Sequence, residues 1–210
     1  MEKDKNQNKT KHIFNIITIG DSHVGKTSIL LRYTQNKFFE NTLETIGFDK
    51  NYKDIILKNG KKIKLCVTDT AGQEEYQSLN KSYVKNVDGV LIVFDLSDKA
   101  TFYNIKKWIN FFNENNSSFK MIPKYLIGNK KDLPREVSED MVEIILEENK
   151  ELKYKETSAK DDKDNQINDF FQEMGETLYT LFLKYNKNKS RNIKKLSEYK
   201  NEEKRPCICL

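Results

Sequence analysis

The residues best suited to chemistry form a glycine-bearing loop near the N-terminus, Gly20-Asp21-Ser22-His23-Val24-Gly25-Lys26-Thr27. The loop follows a β-branched run and precedes a helix-like segment, as a phosphate-binding loop requires. Its glycines let the backbone curl, so that N–H groups and the positive helix end face phosphate oxygens. Lys26 would reach the β- and γ-phosphates, and the Thr27 hydroxyl would coordinate Mg²⁺. The predicted contacts are Ser22, His23, Val24, Gly25, Lys26, Thr27 and Ser28. The pattern alone leaves an ATPase and a nucleotide kinase open.

A second segment, Asn129-Lys130-Lys131-Asp132, follows a predicted strand and resembles the NKxD element of GTPases. Guanine presents the N1–H and N2–H donors side by side, and one carboxylate accepts both. Asp132 would therefore select guanine over adenine, which lacks this donor pair. Lys130 can lay its aliphatic stem on the base, and Asn129 can join neighbouring loops. A solvated turn is the alternative reading in a chain this rich in Lys and Asn.

A third segment, Thr157-Ser158-Ala159-Lys160, follows the last predicted strand and resembles the SAK element of the Ras superfamily. The resemblance implies that the Ala159 N–H meets guanine O6, that Lys160 lines the base and that Ser158 belongs to the same site. Two such elements at strand ends fit ligand binding at the carboxyl edge of a parallel sheet. Phe38 corresponds in the family to an aromatic that packs edgewise on guanine; packing of its own loop is the alternative role.

Two further segments resemble the switches of the same superfamily, and their roles are those that the resemblance implies. Asp69 begins a DTAGQE element and would hold Mg²⁺ through a water. The Gly72 N–H would bond the γ-phosphate, and Gln73 would orient the attacking water. Thr45, in Thr-Ile-Gly, would contact both Mg²⁺ and the γ-phosphate. Loss of the γ-phosphate would release both segments, which is the basis of a switch.

The superfamily resemblance covers residues 14–185, and residues 45–49, 74–79 and 102–109 resemble the Rab family. Rabs usually carry a surface group of three aromatic residues. In this chain two of the three positions are Lys50 and Thr68, and only the third, Tyr83, is aromatic. We therefore expect an unusual set of effectors. No arginine occurs between Arg32 and Arg135, so we expect slow intrinsic hydrolysis, accelerated ~10³–10⁵-fold by an activating protein.

The elements that must position these residues alternate between strand-like and helix-like segments, which favours an α/β sheet. Asn59-Gly60 between two extended runs predicts an antiparallel hairpin. The resemblance implies a six-stranded, mostly parallel sheet with one antiparallel strand and helices on both faces. The predicted strands are 13–19, 48–57, 62–68, 90–95, 124–128 and 152–157, and the predicted helices are 27–35, 76–85, 100–113, 138–149 and 167–185. The predicted units are a polar extension (1–11), a small GTPase domain (12–186) and a flexible basic tail (187–210).

Charge and cysteine usage indicate where the chain acts. The net charge of +5 arises in the basic tail, which argues against nucleic-acid binding. Three cysteines without a framework argue against disulfides, and the polar N-terminus is no secretory signal. The terminal Cys207-Ile208-Cys209-Leu210 fits a prenylation box in which Leu favours geranylgeranyl at Cys207. Upstream Lys and Arg supply a second membrane signal. The alternative to prenylation is a solvated basic tail with incidental thiols. If the tail is prenylated, Cys209 is an additional candidate for modification beside Cys207.

Together these features favour a GTP hydrolase that cycles with GTP, GDP and Mg²⁺ as a trafficking switch. The expected partners are a GTPase-activating protein, a guanine-nucleotide exchange factor, effectors, a prenyltransferase and a GDP-dissociation inhibitor. The expected location is the cytoplasmic face of an intracellular membrane, with a cytosolic pool, and we expect a monomer. A GTP-binding membrane scaffold with negligible hydrolysis is the alternative function, and a P-loop ATPase or kinase is disfavoured by the base elements.

Overall fold

A computed structural model of the chain describes residues 12–40, 48–70, 84–116 and 121–202, with side chains up to residue 188. Within these ranges six strands form one sheet in the order β2-β3-β1-β4-β5-β6. The strands are β1 (His12–Ile19), β2 (Phe48–Ile56), β3 (Lys62–Thr70), β4 (Gly89–Asp95), β5 (Lys124–Asn129) and β6 (Leu152–Glu156). All neighbours pair in parallel except β2 and β3, which confirms the predicted fold class.

The antiparallel pair is closed by the predicted turn. Gly60 has a φ of 77°, the left-handed region that such a turn needs. Its N–H donates to the Leu57 carbonyl at 2.8 Å, and Leu57 N–H donates to Lys61 O at 2.8 Å. β4 is buried along its whole length, as its uninterrupted apolar run predicts for a central parallel strand.

Helices cover both faces of the sheet. They are α1 (Lys26–Gln35), α2 (Lys99–Tyr103), α3 (Ile105–Asn115), α4 (Glu139–Glu148) and α5 (Gln166–Glu202). Alternate strand residues divide the core: Phe14, Ile16 and Val93 belong to the cluster packed by α1 and α5. Ile17, Ile92 and Phe94 belong to the cluster packed by α2, α3 and α4. Both faces of the sheet are therefore buried under helices, and the loops occupy its carboxyl edge.

Two helices differ from the sequence prediction, and a third lies mostly outside the described residues. The predicted single helix 100–113 is two helices that meet at Asn104. The last helix was predicted to end at 185 but continues to Glu202, because its Lys, Arg, Glu and Leu content supports a helix even where no apolar face repeats. The helix predicted for 76–85 is described only from residue 84 onward.

Of the described helices, none has the length and apolarity needed to cross a membrane. Five strands run parallel, so β1, β3, β4, β5 and β6 all end at one edge of the sheet. The predicted chemistry-bearing segments follow four of these strands. The topology therefore brings them to one place.

Candidate nucleotide site

The loop between β1 and α1, residues 20–27 (the phosphate loop), curls around the ammonium group of Lys26. Lys26 is only 5% exposed, and its Nζ donates to the carbonyls of Gly20 at 3.0 Å and Asp21 at 2.6 Å. Burial lowers the pKa of Lys26 to about 8, against the opposing attraction of Asp69 and Asp21. At neutral pH the group is therefore still mostly charged and suited to an anionic ligand. The residue before α1, Gly25, has a φ of 92°.

At the first turn of α1 the Thr27 hydroxyl meets the end of β3. Thr27 Oγ1 lies 2.6 Å from Asp69 Oδ2, although the residues are 42 positions apart. Asp69 is buried at the end of the sheet, beside the phosphate loop. A hydroxyl and a carboxylate are oxygen ligands of the type that Mg²⁺ prefers. The donor set at this corner of the site therefore fits a hard divalent cation.

Asn129, at the end of β5, joins three segments through one amide. Its Nδ2 donates to the Val24 carbonyl in the phosphate loop at 2.9 Å. Its Oδ1 accepts from Thr157 Oγ1 and from Ala159 N–H, both at 3.2 Å. The side chain is 1% exposed, so these bonds are shielded from water. The role of joining loops, predicted for Asn129, thus corresponds to a set of specific hydrogen bonds.

The two base elements also contact each other directly. Ser158 Oγ donates to Asp132 Oδ1 at 2.5 Å, and the same Oγ accepts from Asp161 N–H at 2.8 Å. The carboxylate of Asp132 is exposed on the rim of the site. The Asn129 loop (129–132) and the Ser158 loop (157–160) therefore form one surface, as the order of the motifs along the parallel sheet predicts.

Lys130 is oriented by a partner that sequence reasoning missed. Its Nζ forms a 2.6 Å ion pair with Asp95, the last residue of β4, and its φ is 62°. Asp95 is 5% exposed and also accepts from the backbone N–H of Ser97 at 2.8 Å. The sequence signal that could have indicated Asp95 was a carboxylate at the end of a buried central strand. Its partner, 35 residues later, was not readable from local pattern.

Arg32, on α1, is a second residue that the sequence analysis did not single out. Its Nε donates to the Ala159 carbonyl at 2.9 Å, and its Nη2 donates to the Lys160 carbonyl at 3.1 Å. The guanidinium fork therefore joins the helix behind the phosphate loop to the Ser158 loop. Lys160 Nζ in turn pairs with Glu40 at 3.1 Å.

Asp21 is a third residue whose contacts the motif did not reveal. Its carboxylate accepts hydrogen bonds from Trp108 Nε1 and Asn104 Nδ2, each at 2.7 Å. Both donors lie at the start of α3, more than eighty positions away in sequence. The phosphate loop is thus held from its outer side as well as by Asn129.

The remaining predicted residues divide between those the structure describes and those it does not. Val24 is buried, Ser22 and Ser28 are partly exposed, and His23 is exposed with a φ of 62°. Phe38 is partly buried and packs against the core cluster of α1 and α5. Lys50 lies directly opposite Thr68 in the β2–β3 pair. Thr45, Gly72, Gln73 and Cys207 lie outside the described residues.

Comparison with known proteins matches the same part of the chain. The sequence model of the Ras family matches residues 15–180. Ras-related protein SEC4 of Saccharomyces cerevisiae is 39% identical over 161 residues, covering 76% of this chain and 72% of the yeast protein. Ras-related protein Rab-13 of Rattus norvegicus is 36% identical over 151 residues, covering 71% and 72%. Ras-related protein RabH of Dictyostelium discoideum is 36% identical over 185 residues, covering 88% and 87%. The family match includes the phosphate loop and both base loops.

Proposed function

Because the chain belongs to the Ras family and is Rab-like, we propose that it cycles between GTP-bound and GDP-bound states to recruit effectors in vesicle trafficking. As a member of this family it is a GTP hydrolase, producing GDP and phosphate. The observation that most supports the cycle is the meeting of the phosphate loop with both base loops on the single amide of Asn129.

The phosphate loop binds the β- and γ-phosphates in this proposal. Its backbone N–H groups and the N-terminus of α1 face the phosphate oxygens, and the buried ammonium of Lys26, which gives two of its three N–H donors to carbonyls, offers the third to them. The residues Ser22, His23, Val24, Gly25 and Ser28 complete this part of the site. Because Lys26 is already desolvated, a phosphate contact costs little further dehydration of the ammonium.

The Asn129 loop and the Ser158 loop read the base. The exposed carboxylate of Asp132 accepts N1–H and N2–H of guanine, and Ser158 orients it through the 2.5 Å hydrogen bond. Ala159 N–H faces O6, while the stems of Lys130 and Lys160 line the ring. Adenine has no donor pair for Asp132, so the site discriminates against ATP.

Thr27, Thr45 and Asp69 hold Mg²⁺, with Asp69 acting through a water. When bound, the ion neutralises charge on the phosphate oxygens. Gln73 orients the attacking water, and the backbone N–H of Gly72 holds the γ-phosphate. We expect hydrolysis to be slow until an activating protein supplies the missing arginine.

Cys207 carries a geranylgeranyl group that anchors the protein to the cytoplasmic face of an intracellular membrane. The basic tail adds attraction to anionic lipids, and a cytosolic pool is kept by a GDP-dissociation inhibitor. The other partners are an exchange factor, an activating protein, effectors and a prenyltransferase. The pairing of Lys50 with Thr68, in place of the aromatics usual in Rabs, supports a distinctive effector set.

Nucleotide binding by the purified full-length chain tests this function. We expect tight binding of GDP and GTP with Mg²⁺ and no measurable binding of ATP. Asp132→Asn is expected to weaken GDP and to favour xanthosine diphosphate, because an amide can donate to the xanthine O2 and accept from N1–H. Asp164→Asn removes an exposed carboxylate from the loop before α5 and should leave the preference unchanged. Tight ATP binding would overturn the assignment of the base loops.

Single-turnover hydrolysis separates the switch from the scaffold alternative. A switch shows slow GTP cleavage that falls further in Gln73→Leu, because the attacking water loses its orienting amide. A scaffold shows no cleavage in either protein. The second outcome would retain guanine binding but replace the cycle with permanent GTP occupancy.

A further inference from the structure

A polar cluster outside the nucleotide motifs joins the phosphate loop to the start of α3. We call Asp21, Asn104 and Trp108 the Asp21 cluster. Trp108 Nε1 donates to Asp21 Oδ1 and Asn104 Nδ2 donates to Asp21 Oδ2, each over 2.7 Å. Both carboxylate oxygens are thus bonded to neutral donors from a single helical segment. Hydrogen bonds to an ionised acceptor are stronger than neutral ones, which favours a well-defined loop position.

The helix geometry places these donors. Asn104 is both the C-cap of α2 and the N-cap of α3. The interruption between the two helices therefore falls on the residue whose side chain bonds Asp21. Trp108 lies one turn further along α3, on the same side of the helix. Its indole is 3% exposed and packs edge-on against Phe111, with ring centroids 6.0 Å apart. A packed ring is a firm support for a single N–H donor.

The same residue that the cluster holds also contacts the lysine of the phosphate loop. The Asp21 carbonyl accepts from Lys26 Nζ at 2.6 Å, while the Asp21 side chain accepts from Trp108 and Asn104. Asp21 therefore connects the start of α3 to the Lys26 ammonium group by one side-chain and one backbone hydrogen bond.

We infer that Asn104 and Trp108 are positioning residues for nucleotide binding. They hold Asp21 and, through its carbonyl, set the place of Lys26 in the phosphate loop, and they thereby slow nucleotide release. This inference rests on the proposed guanine-nucleotide site. It assigns to α3 an influence, exerted through Asp21, on the lifetime of the bound state.

Two single variants and one paired variant test the role through the GDP dissociation rate of the full-length chain with Mg²⁺. Trp108→Phe keeps an aromatic ring against Phe111 but removes the N–H, and we expect release about tenfold faster, equivalent to about 1.4 kcal/mol. Asn104→Asp sets a second carboxylate against Asp21 and should accelerate release more than Trp108→Phe.

The paired variant Asp21→Asn with Asn104→Asp exchanges donor and acceptor. The amide at position 21 then donates to the carboxylate at position 104 and still offers an oxygen to Trp108. We expect its release rate to return to within about threefold of the unaltered protein, since both hydrogen bonds are restored. A contribution from side-chain packing alone predicts no such rescue.

Lys106→Gln is the matched control, since it removes a bond from the same helix that does not lead to the phosphate loop. Lys106 pairs with Glu148 on α4 at 2.9 Å. Its GDP release should equal that of the unaltered chain. Unchanged release in Trp108→Phe and Asn104→Asp would overturn the inference while leaving the proposed function intact. Failure of the unaltered chain to bind GDP would overturn both.

One measurement needs no variant. Trp108 is the only tryptophan of the chain, so a ¹⁵N-labelled sample has one indole N–H signal. Because this N–H bonds the phosphate loop, the signal should be protected from hydrogen exchange and should shift when GDP binds. An indole signal that exchanges freely and is indifferent to GDP would contradict the role of Trp108 even if the substitutions prevented folding.

Discussion

Asn129→Asp is expected to separate the phosphate loop from the Ser158 loop with little change in side-chain shape. The aspartate retains an oxygen that accepts from Thr157 Oγ1 and Ala159 N–H. Its second oxygen cannot donate, yet it faces the Val24 carbonyl oxygen across a contact of 2.9 Å. An attraction in a buried place is therefore replaced by a repulsion between two acceptors.

The size of the effect follows from the burial. A buried acceptor that loses its donor costs about 1–3 kcal/mol, and a buried carboxylate adds to this cost. We expect the free energy of unfolding of the GDP-bound protein to fall by about 2 kcal/mol. A bound nucleotide requires both loops at their native separation, whereas the free protein can relax. The same cost of about 2 kcal/mol therefore falls on the bound state, and GDP release should be about 30-fold faster.

The assay is the dissociation of a fluorescent GDP analogue, chased with excess GDP, together with urea unfolding. Asn149→Asp is the matched control, because Asn149 Nδ2 also donates to a carbonyl, that of Ile145 at 2.9 Å, at the end of α4. That variant should lose some stability and release GDP at the normal rate. Equal release rates for Asn129→Asp and Asn149→Asp would refute the idea that Asn129 couples the loops.

Three further predictions concern neighbouring parts of the fold. Arg32→Lys removes the fork that bonds two carbonyls of the Ser158 loop, so GDP release should become about threefold faster, corresponding to less than 1 kcal/mol; an unchanged rate would contradict it. Burial raises the pKa of Glu156, but hydrogen bonds from Arg135 and a neighbouring tyrosine outweigh it, and the net pKa lies below the ordinary 4.5. This contribution to stability is present above pH 4.5 and is lost as the pH falls through the lowered pKa, so urea unfolding of Arg135→Met should vary less with pH in that acid range. Gly25→Ala and Gly60→Ala both place Ala at positive φ, but the new Cβ at Gly25 would lie 2.3 Å from the Asn129 amide nitrogen while Gly60 faces open space. Gly25→Ala should therefore be the more destabilising by at least about 1 kcal/mol, and similar midpoints in thermal unfolding would be evidence against the clash.

Much of the fold followed from local sequence. The apolar run of β4 and the Asn59-Gly60 turn each have one strongly preferred structure, and both predictions are confirmed. Ser138, where a helix was predicted to start, is the N-cap of α4, and its Oγ accepts from Met141 N–H. The interruption at Asn104 was missed, because the apolar spacing of residues 100–113 continues through it.

The sequence alone identified the family and the enzyme class, because phosphate and base recognition require particular residue types at short, fixed spacing. Comparison with known proteins confirms both. The roles of the individual site residues, including Gln73 and Cys207, remain predictions.

Only the tertiary structure decided which residues support those motifs. Arg32 meets the Ala159 carbonyl across 127 positions, and Trp108 meets Asp21 across 87. Such pairs leave no local pattern, since either partner alone is an ordinary residue on a helix or in a turn. They arise because the parallel strands end at one edge and the covering helices converge on it, so their meeting depends on the packing of the whole sheet.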